Sequence, residues 1–177
     1  GGGALISPDE VSKKRAIYLA TQDKEPGHEY HHIEIGYNYR MSNIIAGVGR
    51  GQMKVLDHYV EKRRSNFMYY RKQLDHLKQV RFLNEPDGTY SNRWLTCIVL
   101  ESRDCRDDLL NLLNEHEIEA RPSWKPMHRQ PLYENFPKYL NGVSDDLYEK
   151  ALCLPSGSNL TENEMDRIVN IIKGYFE

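Results

Sequence analysis

Between Pro26 and Pro86 the chain contains no proline. Within that run apolar residues fall at Ile44, Val48, Val55, Tyr59, Phe67, Tyr70, Leu74 and Leu77, mostly three, four or seven positions apart. This spacing lines one face of a helix, and Ser42 is a residue type that caps a helix start. Unbroken from Ser42 to Lys78, the helix would run about 55 Å at a rise of ~1.5 Å per residue. That exceeds the width of a small domain. The pattern therefore predicts a helix bridging two lobes, half of it packed on something outside this sequence.

Beyond Pro86-Asp87-Gly88 the pattern turns to short strands and helices. "NRWLTCIVL" and "IEARPSW" read as strands, the second ended by Pro122, and "CLPSG" as a short strand and turn. "RDDLLNLLNEHE" reads as a helix capped by Ser102 or Asp104, and "SDDLYEKAL" as one behind Ser144. The last helix opens at "TENE", a capping box of Thr161 and Glu164. The second half is thus an α/β lobe with a mixed or antiparallel sheet and helices on one face. Ahead of the long helix, "VSKKRAIYLA" is weakly helical. It is followed by a polar loop, "TQDKEPGHEYHHIEIGYNYR", of the length and chemistry that functional loops have.

Composition excludes several classes. With 177 residues, 39% hydrophobic and 28% charged, two tryptophans and twelve tyrosines, the chain is polar but able to pack a core. A net charge of −2 gives no field for nucleic acid or anionic lipid. The basic run from Glu61 to Lys72 reads as a solvated helix face. No apolar stretch approaches the ~20 residues of a membrane span. Cys97, Cys105 and Cys153 form no CxxC pair, so the spacing suggests neither a metal site nor a disulfide framework, and a reducing cytoplasm fits.

Four stretches carry candidate chemistry. "GVGRG" (47–51) is rich in glycine but lies inside the helical run, so close helix–helix approach explains it better than nucleotide binding. "HEYHH" offers His28, His31 and His32 without a familiar ligand spacing, and loop hydrogen bonding accounts for it. In "GYNYRMSN", Asn38 and Arg40 stand just before a helix start and suit a phosphate or carboxylate. The alternative is a tight loop–helix junction with Tyr37 and Tyr39 packed inward. "EARPSWKPMHRQP" concentrates Arg121, Trp124, Lys125 and His128 between stiffening prolines, a set suited to a nucleotide diphosphate and its sugar. There the alternative is a proline-rich surface connection.

Taken together, "EIGYNYRMSNIIAGVGRGQM", "SNRWLT", "RPSWKPMHRQP" and "CLPSGSNLT" resemble the DegT family of pyridoxal-phosphate-dependent sugar aminotransferases, over nearly the whole chain and in the same order. "NRWLT" with "RPSWKPMH" is most similar to the subgroup that aminates UDP-linked 4-keto-6-deoxy-N-acetyl sugars for glycan and polysaccharide biosynthesis. In this family a lysine that holds the cofactor as a Schiff base precedes a glycine-rich turn, and "GGGALIS" resembles that turn. The resemblance therefore implies that the glycines are native, that the lysine lies upstream of Gly1, and that the chain is the C-terminal part of a fold-type-I PLP transferase. Residues 1–41 would be the tail of the large cofactor domain with an active-site loop, 42–80 the long bridging helix, and 81–177 the small α/β domain.

The resemblance also implies roles. Asn38 would bond the phosphate of pyridoxal 5'-phosphate in the neighbouring subunit of a homodimer. Arg40 would lie near the same site, facing the carboxylate of the amino donor, glutamate. Arg121, Trp124, Lys125 and His128 would hold the nucleotide sugar. No catalytic residue and no metal ligand falls within the chain, so by itself it would be inactive. Two other readings stay open: a sugar 3-dehydratase of the same fold, in which histidine replaces the lysine, and a non-catalytic sugar-nucleotide binding or assembly module.

Overall fold

The helix expected over Ser42–Lys78 is two helices. In the computed structural model, which describes residues 2–25 and 31–177, α2 spans Asn43–Met53 and α3 spans Leu56–Leu74, with Lys54 and Val55 in a turn between them. The Lys54 and Val55 amides reach back only three residues, to Gly51 O at 3.3 Å and Gln52 O at 3.2 Å. Gly47, Gly49 and Gly51 precede the break, and each glycine weakens a helix by about 1 kcal/mol relative to alanine. The apolar spacing runs on through Val55, so periodicity alone does not show the interruption. The chain divides into two compact units, Gly1–Leu56 and Asp57–Glu177. The Pro26-Gly27 turn and His28 lie outside the described residues.

The C-terminal unit is built on a four-stranded sheet ordered β1-β2-β4-β3, every pair antiparallel. Its strands are β1 (Arg81–Phe82), β2 (Thr96–Val99), β3 (Arg121–Pro122) and β4 (Ala151–Leu154). Successive strand residues face opposite sides. Phe82, Ile98, Leu152 and Leu154 meet one core with Tyr70 and Leu74 of α3, Leu109 and Leu113 of α4 (Arg103–Glu115), and Ile168 and Ile172 of α6 (Glu162–Phe176). Cys97 and Cys153 alternate out of that set and face the other side. Full burial of each such apolar side chain stabilises by about 1.5–3 kcal/mol. The capping box forms as expected: Glu164 N donates to Thr161 Oγ1 at 3.3 Å and Thr161 N to Glu164 Oε2 at 2.8 Å. Ser102 caps α4. The last helix before β4, α5, spans Val143–Lys150 and starts from Gly142, whose φ is +79°.

The basic run on α3 is not simply a solvated face. Arg63 donates to the Trp94 carbonyl at 2.5 Å and the Ser156 carbonyl at 3.2 Å. Arg64 makes a bidentate pair with Glu85 at 3.0 and 3.1 Å and also reaches Ser91 O. Arg93 stacks over the Phe67 ring with its guanidinium carbon 3.7 Å from the centroid. These arginines clamp the 83–94 loop to the helix.

The N-terminal unit contains α1 (Glu10–Ala20), capped by Asp9, and α2. After α1 the chain turns through Gln22 and Asp23, both with positive φ. Residues 37–39 then return alongside it. Tyr37 N donates to Leu19 O at 2.7 Å, Gln22 N to Tyr37 O at 3.1 Å, and Tyr39 N to Ala20 O at 3.1 Å. Gly36 makes the approach possible, because a Cβ there would lie 2.3 Å from Asp23 N.

Candidate functional site

Two depressions, one within each unit, hold four of the residues singled out in the sequence: Asn38 and Arg40 in one, Arg121 and Trp124 in the other. In the N-terminal unit, the return of residues 37–39 along the end of α1 places Asn38 opposite Thr21 in an isolated bridge. Three residues after Tyr39, Ser42 caps α2 by accepting from Ile45 N at 3.3 Å. The segment between is short and fixed at both ends. It lines a depression of about 410 Å3 made by Gly2, Gly3, Asn38, Tyr39, Arg40 and Met41. Arg40 also borders a second one, of about 430 Å3, with Leu5, Lys13 and Ile17.

The Asn38 carboxamide and Arg40 guanidinium are exposed, and neither pairs with another side chain or backbone group among the described residues. Among the described residues no carboxylate lines the smaller depression. A Cβ on Gly3 would meet nothing within 4 Å, so backbone at that wall stays open to a ligand. One carboxamide, one guanidinium and bare backbone form a donor set for a phosphate or carboxylate, which fits the anionic groups of pyridoxal phosphate and of an amino-acid donor. Tyr37 and Tyr39 do not pack inward: their rings are exposed and stack on each other, centroids 5.0 Å apart.

In the C-terminal unit a groove of about 460 Å3 opens where β2 begins and β4 ends. Thr96 N donates to Ser156 Oγ at 2.7 Å, and the same hydroxyl donates to Leu154 O at 2.8 Å. The hydroxyl is thereby spliced into the ladder. Trp94 and Trp124 form one wall, stacked at 5.7 Å with 28° between planes and both largely exposed. Glu119, Arg121, Cys153 and Pro155 are among the other residues that line the groove. Three of the separated motifs, "NRWLT", "RPSW" and "CLPS", thus converge on one surface. Arg63, through the Trp94 and Ser156 carbonyls, fixes two sides of this groove.

The structure brings Arg121 and Trp124 together there, with Arg121 also paired to Glu119. Lys125 is exposed and outside the lining. His128 is also outside it: its Nε2 lies 2.9 Å from Asp145 Oδ1 at the start of α5. Arg129 pairs with Glu149, and Arg103 reaches Glu149 at 3.2 Å. The Arg129 guanidinium beside it, helped by Arg103, holds the Glu149 carboxyl below the usual carboxylate range. The later part of "RPSWKPMHRQP" is therefore anchored to α5 while its beginning faces the groove. Trp94 is the site residue that the sequence reading missed. Its signal was the tryptophan inside a motif already singled out.

Of two other expectations, the one for the glycines fails and the one for the histidines holds at His32. At Gly47, Gly49 and Gly51 an added Cβ would meet nothing within 4 Å, so the close helix–helix approach is absent among the described residues. His32 serves the loop, its Nδ1 lying 2.9 Å from Gln22 O and 3.1 Å from Asp23 O. No cluster of metal-ligating side chains occurs among the described residues.

The DegT/DnrJ/EryC1/StrS aminotransferase family matches residues 1–173. EpsN of Bacillus subtilis, assigned by name to the pyridoxal phosphate-dependent aminotransferases, is 47% identical over 99% of this chain and 46% of its own length. GDP-perosamine synthase of Vibrio cholerae is 32% identical over 99% of this chain and 48% of its own. The chain spans about half the length of the curated relatives it matches. Among solved structures, the aminotransferase TlmJ of Streptoalloteichus hindustanus superposes with a TM-score of 0.85 at 20% identity, over 95% of this chain and 45% of that one, and so shares its fold.

Proposed function

The chain belongs to the DegT/DnrJ/EryC1/StrS aminotransferase family, and from that premise we propose that it supplies part of the active site of an enzyme moving an amino group from glutamate to a nucleotide-linked 4-keto-6-deoxy sugar. Such sugars feed glycan and polysaccharide biosynthesis, and free nucleotide sugars and glutamate fit a cytoplasmic location. In this reading residues 1–41 belong to the large cofactor domain, 42–80 to the connecting helices and 81–177 to the small domain of a homodimer. The observation that carries it is the pair of exposed donors, Asn38 and Arg40, on one depression, with no side-chain partner and no lining carboxylate among the described residues.

When bound, pyridoxal phosphate supplies the electron sink for transferring the amino group. The residues of this chain bind and orient. Asn38 donates its carboxamide N–H to the cofactor phosphate of the partner subunit. Arg40 offers the glutamate carboxylate a planar pair of N–H donors. Trp94 and Trp124 give the nucleotide sugar an apolar, π-rich wall, Arg121 faces its diphosphate, and His128 fixes the course of their segment through Asp145.

The cofactor contact is tested by Asn38→Ala in the dimeric enzyme containing this chain. A hydrogen bond to a charged group stabilises by about 1.5–3 kcal/mol, so affinity for pyridoxal phosphate should fall by roughly tenfold to a hundredfold. Unchanged affinity would remove Asn38 from the site.

A further inference from the structure

The spacing of the cysteines in the sequence conceals their arrangement in space. Cys97 of β2 and Cys153 of β4 are direct partners in the antiparallel register, and their sulfurs lie 3.4 Å apart. The hydrogen-bond pattern identifies the kind of pair they form. Leu100 N donates to Lys150 O, so that pair is hydrogen-bonded between β2 and β4, while Ser123 N donates to Ala151 O on the other side of β4. Bonded and non-bonded pairs alternate, which makes Cys97–Cys153 a non-bonded pair, the kind whose Cα atoms stand ~4.5 Å apart. A disulfide accepts Cα separations from about 4.4 Å upward and an S–S bond of about 2.05 Å. Rotation of the two side chains, without movement of the strands, covers the remaining gap.

Both thiols are free, and Cys153 lines the indole groove while Cys97 is partly exposed. We propose that Cys97 and Cys153 form a redox site, a dithiol that a peroxide closes into a cross-strand disulfide in the wall of the indole groove. The hydrogen bond from Cys153 lowers the Cys97 thiol, and the same contact with burial raises Cys153, which makes Cys97 the first nucleophile. Its thiolate attacks one peroxide oxygen, the O–O bond breaks, hydroxide leaves and takes a proton, and Cys97 becomes a sulfenic acid. The Cys153 sulfur then displaces that hydroxyl as water while losing its own proton. Two thiols and one hydrogen peroxide give one disulfide and two waters; the sulfurs lose two electrons and the peroxide gains them. The site does not depend on the aminotransferase reading.

Cys105, on α4 and raised by burial, is the internal control. The 177-residue chain is treated with hydrogen peroxide, quenched with catalase, alkylated with N-ethylmaleimide and mapped by mass spectrometry. The expected product is a dithiothreitol-reversible Cys97–Cys153 linked peptide with Cys105 still alkylated. Cys97, lowered where Cys105 is raised, should lose label roughly tenfold faster than Cys105, and Cys153 should follow Cys97 as it resolves the sulfenic acid. Cys105→Ser should leave the link intact, and Cys97→Ser should abolish it. Since the unsubstituted chain carries the main readout, a variant that fails to fold does not spoil the test. Alkylation of both Cys97 and Cys153 after peroxide, a link to Cys105, a sulfinic acid at Cys97 without a linked peptide, or a link that forms only in urea would each overturn the proposal.

Discussion

The two units are stabilised in different ways. The C-terminal unit buries a continuous set of apolar side chains from Phe67 to Ile172, several with no exposed surface. Among the described residues of the N-terminal unit no hydrophobic side chain is buried, and its one fully enclosed side chain is the carboxylate of Asp23. That unit is shaped by backbone instead: the positive φ of Gln22 and Asp23, the close passage of Gly36, and the hydrogen bonds between residues 19–22 and 37–39. A core tolerates loss of any one polar contact. A junction made of backbone contacts has little beneath it, and low local stability is where ligand-contacting segments are commonly found. Asn38 and Arg40 belong to that second kind of region.

Apolar truncation should produce the largest contrast. Leu152→Ala empties a fully buried position in β4 and should cost about 2–5 kcal/mol in urea unfolding, whereas Ile17→Ala on α1 should stay within about 0.5 kcal/mol. Equal losses would dissolve the distinction. Gly36→Ala should act in the opposite unit. The Cβ cannot coexist with Asp23 N, so the return segment must shift. Amide exchange at Tyr37 and Tyr39 should accelerate by roughly tenfold or more, about 1.4 kcal/mol, while exchange at Leu152 stays unchanged. Acceleration at both places would show that the units open together.

The smallest effect is the pH dependence that one carboxyl of the C-terminal unit contributes. The Arg64 guanidinium, with the Ser91 amide, holds the Glu85 carboxyl down at about 2, against an ordinary value of 4.5. A carboxyl lowered on folding contributes fully above its unfolded value and loses that contribution as pH falls through the folded one. Between about pH 4.5 and 2 the melting temperature should therefore decline, and less steeply in Glu85→Gln. Parallel declines would mean that the clamp contributes nothing.

What could be read from the sequence follows from the same contrast. Where local chemistry is self-sufficient, as in the Thr161–Glu164 capping box or the apolar stripe of α6, reading residues in order was enough. The antiparallel sheet was foreseen in kind, but β1 is only Arg81 and Phe82, too short for any alternation to register. β2 begins at Thr96 rather than Asn92, since Arg93 adopts a φ of +47° that no strand continues through. Arg63 and Arg64 looked like solvent-facing charges because their acceptors are carbonyls and a carboxylate 21 to 93 residues away. At the candidate sites the motifs contain residues that line the depressions, yet which of Trp94, Lys125 and His128 faces the groove depends on long-range contacts such as His128 with Asp145.

The order of the sheet has one more consequence. Its outermost strands, β1 and β3, are two residues long, each carries an arginine, and β3 ends in a proline that has no N–H to offer. An exposed strand recruits neighbouring molecules by presenting a long, flat row of unpaired amides, and neither border does so. The apolar centre, "TCIV" beside "ALCL", has the composition of a fibril-forming segment but is shut between two blunt margins. Copies of this chain are thereby discouraged from adding strand to strand, and growth into cross-β aggregates should require unfolding of the sheet first.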